Sequence, residues 1–161
     1  MLRYDPDLEQ QADSTFGWLD ITHGLTHARA ARWAWANQPG PHAARIALHA
    51  IWLLFDTGRH ERRQGIAEPP PPADPAPIDD PQAVAAALLG EAMDDEAGSF
   101  IVVAHLVKTA VAALEETLAT GSDVPLQATA RLLREQRRER FVARAVAESI
   151  RFVRTGRPPI R

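Results

Sequence analysis

Along this chain apolar positions recur every three or four residues, and no stretch alternates apolar with polar as a half-buried strand would. Ala, Leu, Arg and Glu dominate, and all are good helix formers. The pattern predicts an all-α fold: one bundle-like domain of five to six helices. The first main helix is expected from about Thr15 to Asn37, with Asp13 or Ser14 as its cap and Gln38-Pro39-Gly40-Pro41 as its stop. A second should run from Pro41 to Arg63, since proline suits the first turn of a helix. Residues 67–81, "AEPPPPADPAPIDDP", hold seven of the thirteen prolines and read as an extended, polyproline-like connector. A third helix is expected from Pro81 to Met93. Asp94-Asp95-Glu96 then opens a long helix to about Thr120, with acids at its positive end. Gly121-Ser122-Asp123-Val124-Pro125 breaks it, and 125–155 forms one or two further helices ending at Thr155-Gly156.

The connector divides the domain into a first half, about 1–66, and a second, 82–161. Each half reads as a His-bearing helix, a break, a second helix and Thr-Gly-Arg. The first pairs His23 with Thr57-Gly58-Arg59, and the second pairs His105 with Thr155-Gly156-Arg157. As a two-helix pseudo-repeat, this arrangement would set the two His helices facing each other.

The densest chemistry lies in "DITHGLTHARAARWAW", residues 20–35. With Asp20 at 0°, helical geometry puts His27 near about 340° and His23 near about 300°, among Gly24, Ala30, Ala31 and Ala34. Arg29 and Arg32 fall on the far side and are expected to mark water, so Asp20, His23 and His27 should point inward. Two histidines one turn apart can chelate a divalent metal, iron or zinc, with Asp20 as third ligand or as an orienting carboxylate. No Glu lies between them, so this is not a zinc-protease motif. The alternative is a polar network in which the rings bond to Thr22, Thr26 or a backbone carbonyl.

The other histidines divide by face. His42, Arg45, His49, Asp56 and His60 share one side of the second helix, opposite Ala44, Ala47, Ile51, Leu54 and Phe55. His49 therefore belongs to a solvated stripe or to the rim of a cleft. On the fourth helix the deep apolar stripe is expected to be Phe100, Val103, Val107, Leu114 and Leu118. His105 lies opposite, beside Thr109, Ala112 and Glu116, with Lys108 and Glu115 on its flank. The turn carrying His105 is apolar nearly all round, so His105 with Lys108 would move protons or bind an anion, or His105 would be a satisfied histidine in a helix packed on two sides. Trp18, Trp33, Trp35 and Trp52 are candidates for a flat apolar ligand wall, or for core and interface.

Composition narrows the options. There is no cysteine, which removes disulfides, thiolate metal sites and Cys nucleophiles and fits a reducing, cytoplasmic setting. The start of the chain is polar and acidic, unlike a signal peptide, and the longest strongly apolar run, Ala50 to Phe55, is too short to span a bilayer. No membrane association is expected. The net charge of −3 conceals an asymmetry: residues 125–161 carry +7, from ten Arg and three Glu, leaving −10 elsewhere. Such opposite patches suit pairing within the chain, with a partner subunit or with a second copy. Nucleic acid is not expected, because the only aromatics of the basic segment, Phe141 and Phe152, fall on its apolar face. A DNA-linked regulator using that segment would need strongly salt-dependent binding. The run Arg131 to Arg140 reads as a solvated helix face with intrahelical pairs such as Arg131–Glu135. No phosphate loop, dinucleotide fingerprint or nucleophile elbow is present.

The segments "DITHGLTHA", "AHLVKTAVAALEE", "RLLREQ" and "FVRTGRPP" resemble the C-terminal part of the questin oxidase-like proteins. Those are helical proteins linked to Baeyer–Villiger-type oxidation of aromatic polyketides. His23 with Thr26 matches the family's His-bearing helix, as does His105 with Thr109, less closely. Arg131-Leu132-Leu133 and Arg154-Thr155-Gly156-Arg157-Pro158 match its later elements. The resemblance covers about half of the chain. The family is longer, and its N-terminal histidine-bearing portion has no counterpart here, so a reduced stand-alone relative or one subunit of a split enzyme is expected. What the resemblance implies is a helical domain whose inward histidines face an aromatic or apolar ligand.

Two expectations follow. In the first, a His-lined pocket performs oxidative or metal-dependent chemistry on a small apolar or aromatic substrate. His23, His105 and Lys108 would be catalytic, Asp20, His23 and His27 would hold the metal, and Trp18, Trp33 and Trp52 would contact the substrate. In the second, the chain is a non-catalytic all-α subunit that docks to a partner or self-associates, and its histidines are polar core.

Overall fold

A computed structural model describes residues 17–63, 77–93, 100–134 and 149–156 of the 161. Among these the protein is all-α, with helices α1 (Trp18–Asn37), α2 (Pro41–Arg63), α3 (Pro81–Met93), α4 (Phe100–Thr120) and α5 (Val124–Arg134), and a last helical stretch over 149–155. No strand occurs among the described residues. No helix there is long and apolar enough to cross a membrane. The expected caps Asp13 and Ser14, most of the Pro-rich connector, the acidic Asp94-Asp95-Glu96 opening and the Arg137–Phe141 segment lie outside the described residues.

α1 begins at Trp18, three residues later than expected. Gly17 is its extended N-cap, and its N–H donates to Asp20 Oδ2 at 2.8 Å. Glycine has no side chain to reciprocate, so this is half a capping box, with a carboxylate at the positive end of the helix. Pro39 has no amide to continue α1, and Gly40, at φ +154°, turns the chain into Pro41 of α2. Asp80 caps α3, its Oδ1 accepting from Ala83 N–H at 3.0 Å, and Pro81 occupies the first turn as expected. Gly121 ends α4 at φ +68°, its N–H donating to Thr117 O at 2.9 Å; only glycine takes this left-handed cap without strain. Asp123 in that turn accepts from Ile78 N–H at 2.9 Å, tying the segment before α3 to the α4–α5 corner. The last helical stretch closes at Gly156, as the Thr155-Gly156 pattern predicts.

The core is built around α4, which packs against α1, α3 and α5. Ala85, Leu88 and Ala92 of α3, Leu106, Ala110 and Ala113 of α4, and Leu126, Leu132 and Leu133 of α5 bury one another, and Trp18 of α1 closes the cluster. This corrects the expected deep stripe of α4. Phe100 and Leu118 are exposed, while Thr109, Ala112 and Glu116, on the side of His105, are buried. With three neighbours the helix buries most of its circumference, its small residues letting them approach, and keeps one exposed stripe through Ile101, Ala104, Lys108 and Val111.

α2 packs chiefly on α1, and its fully buried residues are Ala43 and Ala50. Ile51, Leu54 and Phe55, the expected apolar side, are each more than half exposed, as are Leu48 and Trp52. The alanine stripe makes the helix–helix contact because close approach of α1 and α2 requires small residues there. Leu54 continues that stripe beside Gly24 of α1, while Leu48, Ile51, Trp52 and Phe55 are left facing outward.

Candidate functional site

The two arginines expected in water instead join α1 to α4. Arg29 pairs with Glu115, and Arg32 Nη2 meets Glu116 Oε2 at 2.6 Å. The Glu116 side chain is only 10% exposed, and its other carboxylate oxygen, Oε1, is buried without a partner. α1 is thus held by ion pairs on one flank and by Ala contacts with α2 on another. Its histidine flank lies between these two contacts.

There an open groove of about 830 Å³ runs between α1 and α4, with Leu53 of α2 at its edge. His23, His27, Ala30 and Trp33 line one wall, and Lys108, Val111 and Ala112 line the other. Its volume is in the range of small-molecule sites. Threonine hydroxyls do not serve the histidines. Thr22 donates to Leu19 O at 2.9 Å and Thr26 to Thr22 O at 3.1 Å, each within its own helix. His27 Nε2 is buried with no hydrogen-bond partner among the described residues.

His23 and His105 come together from their two helices, with ring centroids 5.5 Å apart at a tilt of 59°. Behind them Trp18, 5% exposed, sets its ring edge-on to His105 at 6.2 Å. His105 Nδ1 lies 2.8 Å from Ile101 O; a carbonyl only accepts, so Nδ1 is the donor. His105 is therefore fixed by its own helix and by Trp18, and it backs His23 rather than lining the groove. Burial holds the pKa of His23 below its ordinary value of 6.5. The positive charge of Lys108 adds to this, as do His105 and, more weakly, His27, while Asp20 opposes it. The neutral imidazole of His23 is thereby favoured.

Of the residues singled out in the sequence, the groove brings together His23, His27, Lys108 and Trp33. Trp18 lies in the core, Trp52 is 57% exposed on the outer side of α2, and Asp20 is exposed at the start of α1 with its carboxylate on Gly17. His49 is exposed, in keeping with a solvated stripe. Among the described residues no group of three or more His, Asp and Glu is arranged to hold a metal ion. The pairing of Arg29 and Arg32 with adjacent glutamates was not anticipated from helix faces. A compositional signal for the groove was present: Lys108 is the only lysine in the chain, against seventeen arginines.

No protein-family model, curated protein or solved structure matches the chain.

Proposed function

We propose that this chain is a small-molecule-binding helical domain whose α1–α4 groove takes an apolar or aromatic ligand, with His23 as the group that accepts a proton from it. The observation that carries this reading is the convergence of His23, His27 and Lys108 with Trp33, Val111 and Ala112 on one open groove. A few polar groups set in a mostly apolar wall are what orient a ligand in such a groove. Trp33 supplies a flat face, and His23, kept neutral by burial and by Lys108, supplies the base. The resemblance to questin oxidase-like proteins agrees with an aromatic ligand, and oxidation is the reaction class it suggests for this groove. The test is amide chemical-shift mapping with the neutral probe 2-naphthamide. Shifts should cluster at Ala30, Trp33, Val111 and Ala112 and vanish in Trp33→Ala. Shifts confined to the outer side of α2, or none at all, would sink the reading.

A second reading concerns association, and the outer side of α2 favours it. Leu48, Ile51, Trp52 and Phe55 follow the i, i+3, i+4, i+7 spacing of one helical stripe, and each is between 57% and 65% exposed. Together they present on the order of 500 Å² of apolar surface, as much as the largest patch of an ordinary monomer and over half of the roughly 800 Å² per partner of a standard interface. A second copy of the chain, offering the same stripe in antiparallel, fits this surface. Sedimentation equilibrium should give a dimer for the wild type and a monomer for Ile51→Glu/Phe55→Glu. A monomeric wild type at high micromolar concentration would remove this reading.

A further inference from the structure

The charges around the groove do not cancel. The two carboxylates that α4 turns toward α1, Glu115 and Glu116, are already taken by Arg29 and Arg32. Lys108, about two turns earlier on α4, is exposed, lines the groove and pairs with no carboxylate among the described residues. Its field reaches His23 across the groove. The other ionisable groups around this point are His27, Asp20 and Arg29 of α1 and His105 and Glu115 of α4. α2 contributes Leu53 to the groove and no charge. Asp20 is turned away onto Gly17 and the Arg29–Glu115 pair in the groove balances itself, so among the described residues Lys108 is the cation of the groove left without a carboxylate.

The residue type matters as well. Every other position of this kind in the chain is arginine. A guanidinium is a planar fork that favours bidentate partners, whereas an ammonium is a compact point charge on a flexible stem. In a groove lined by Trp33, Val111 and Ala112, a point charge suits a single oxyanion at one end of an apolar body.

Resting on the groove reading above, we propose that the ligand is an apolar molecule bearing one oxyanion, a carboxylate in the simplest case, seated on the Lys108 ammonium with its body along Trp33 and Val111. The anion lies next to His23 and offsets the charge that Lys108 brings there. The test compares 2-naphthoate with its neutral analogue 2-naphthamide by calorimetry at low salt, on the full chain. In the wild type naphthoate should bind about tenfold more tightly, the low end for a charge-assisted hydrogen bond in an open groove. In Lys108→Gln that affinity ratio should fall to about one. In Lys108→Arg, which keeps the charge, a ratio well above one should persist. Equal affinities in the wild type, or a ratio that survives Lys108→Gln, would overturn the oxyanion proposal and leave the groove reading standing. Binding of neither probe would remove both.

Discussion

Removing the charge of Arg32 should loosen the α1–α4 contact that forms the groove. Glu116 is buried, with one carboxylate oxygen 2.6 Å from Arg32 and the other without any partner. Arg32 is therefore its only charged partner among the described contacts. Arg32→Met keeps most of the apolar stem and deletes the guanidinium, leaving the carboxylate uncompensated. Breaking a fully buried pair in this way costs about 3–5 kcal/mol, but the Arg32 side chain is 47% exposed, so solvent already weakens the pair and water can reach the gap. The expected loss is about 2–3 kcal/mol, which for a chain of this length lowers Tm by about 5–10 °C. Arg32→Met/Glu116→Gln removes the stranded charge and should recover most of the loss, giving an interaction energy of about 1–2 kcal/mol in the cycle. Urea unfolding followed by circular dichroism measures all four proteins. A single variant within about 0.5 kcal/mol of wild type, or a double variant no better than the single, would show that this pair does not hold the two helices.

Three further outcomes are expected. Gly24 is buried in α1, and an added Cβ would meet only Leu54 Cδ2 at 3.8 Å, an ordinary contact; Gly24→Ala should therefore raise stability by about 0.5–1 kcal/mol, and a loss would mean that α1 and α2 lie closer than described. The depressed pKa of His23 makes the unfolded chain the better proton binder below pH 6.5, so His23 costs stability progressively as pH falls from there through its folded value. His23→Gln should lose less stability than wild type between pH 7.5 and 5.5 in urea titrations, and equal losses would refute the assignment. Metal analysis of protein purified without a histidine tag tests the chelation reading of His23 and His27. A stoichiometric transition metal that disappears in His23→Ala/His27→Ala would replace proton transfer by metal chemistry at the groove.

Helix class and most boundaries were legible in the sequence because the signals for them are local. Proline without an amide, an acid or glycine at a helix end, and a 3.6-residue period act within a few residues. Pro41, Pro81 and Thr155-Gly156 accordingly fell where expected. A facing of the two His helices was expected from the pseudo-repeat, and the structure brings the rings of His23 and His105 together with Lys108 on the same groove. Which faces become interior was not legible. Arg29 and Arg32 look like solvent residues until Glu115 and Glu116 are brought opposite them. Ile51 and Phe55 look like core until the Ala stripe of α2 is seen to make the contact with α1. Trp52 and Trp33 are equivalent as sequence, yet only Trp33 reaches the groove. Periodicity along one helix states that it has two faces. The identity of the neighbour decides which face is buried, since burial and charge compensation are properties of the pair of surfaces and not of either alone.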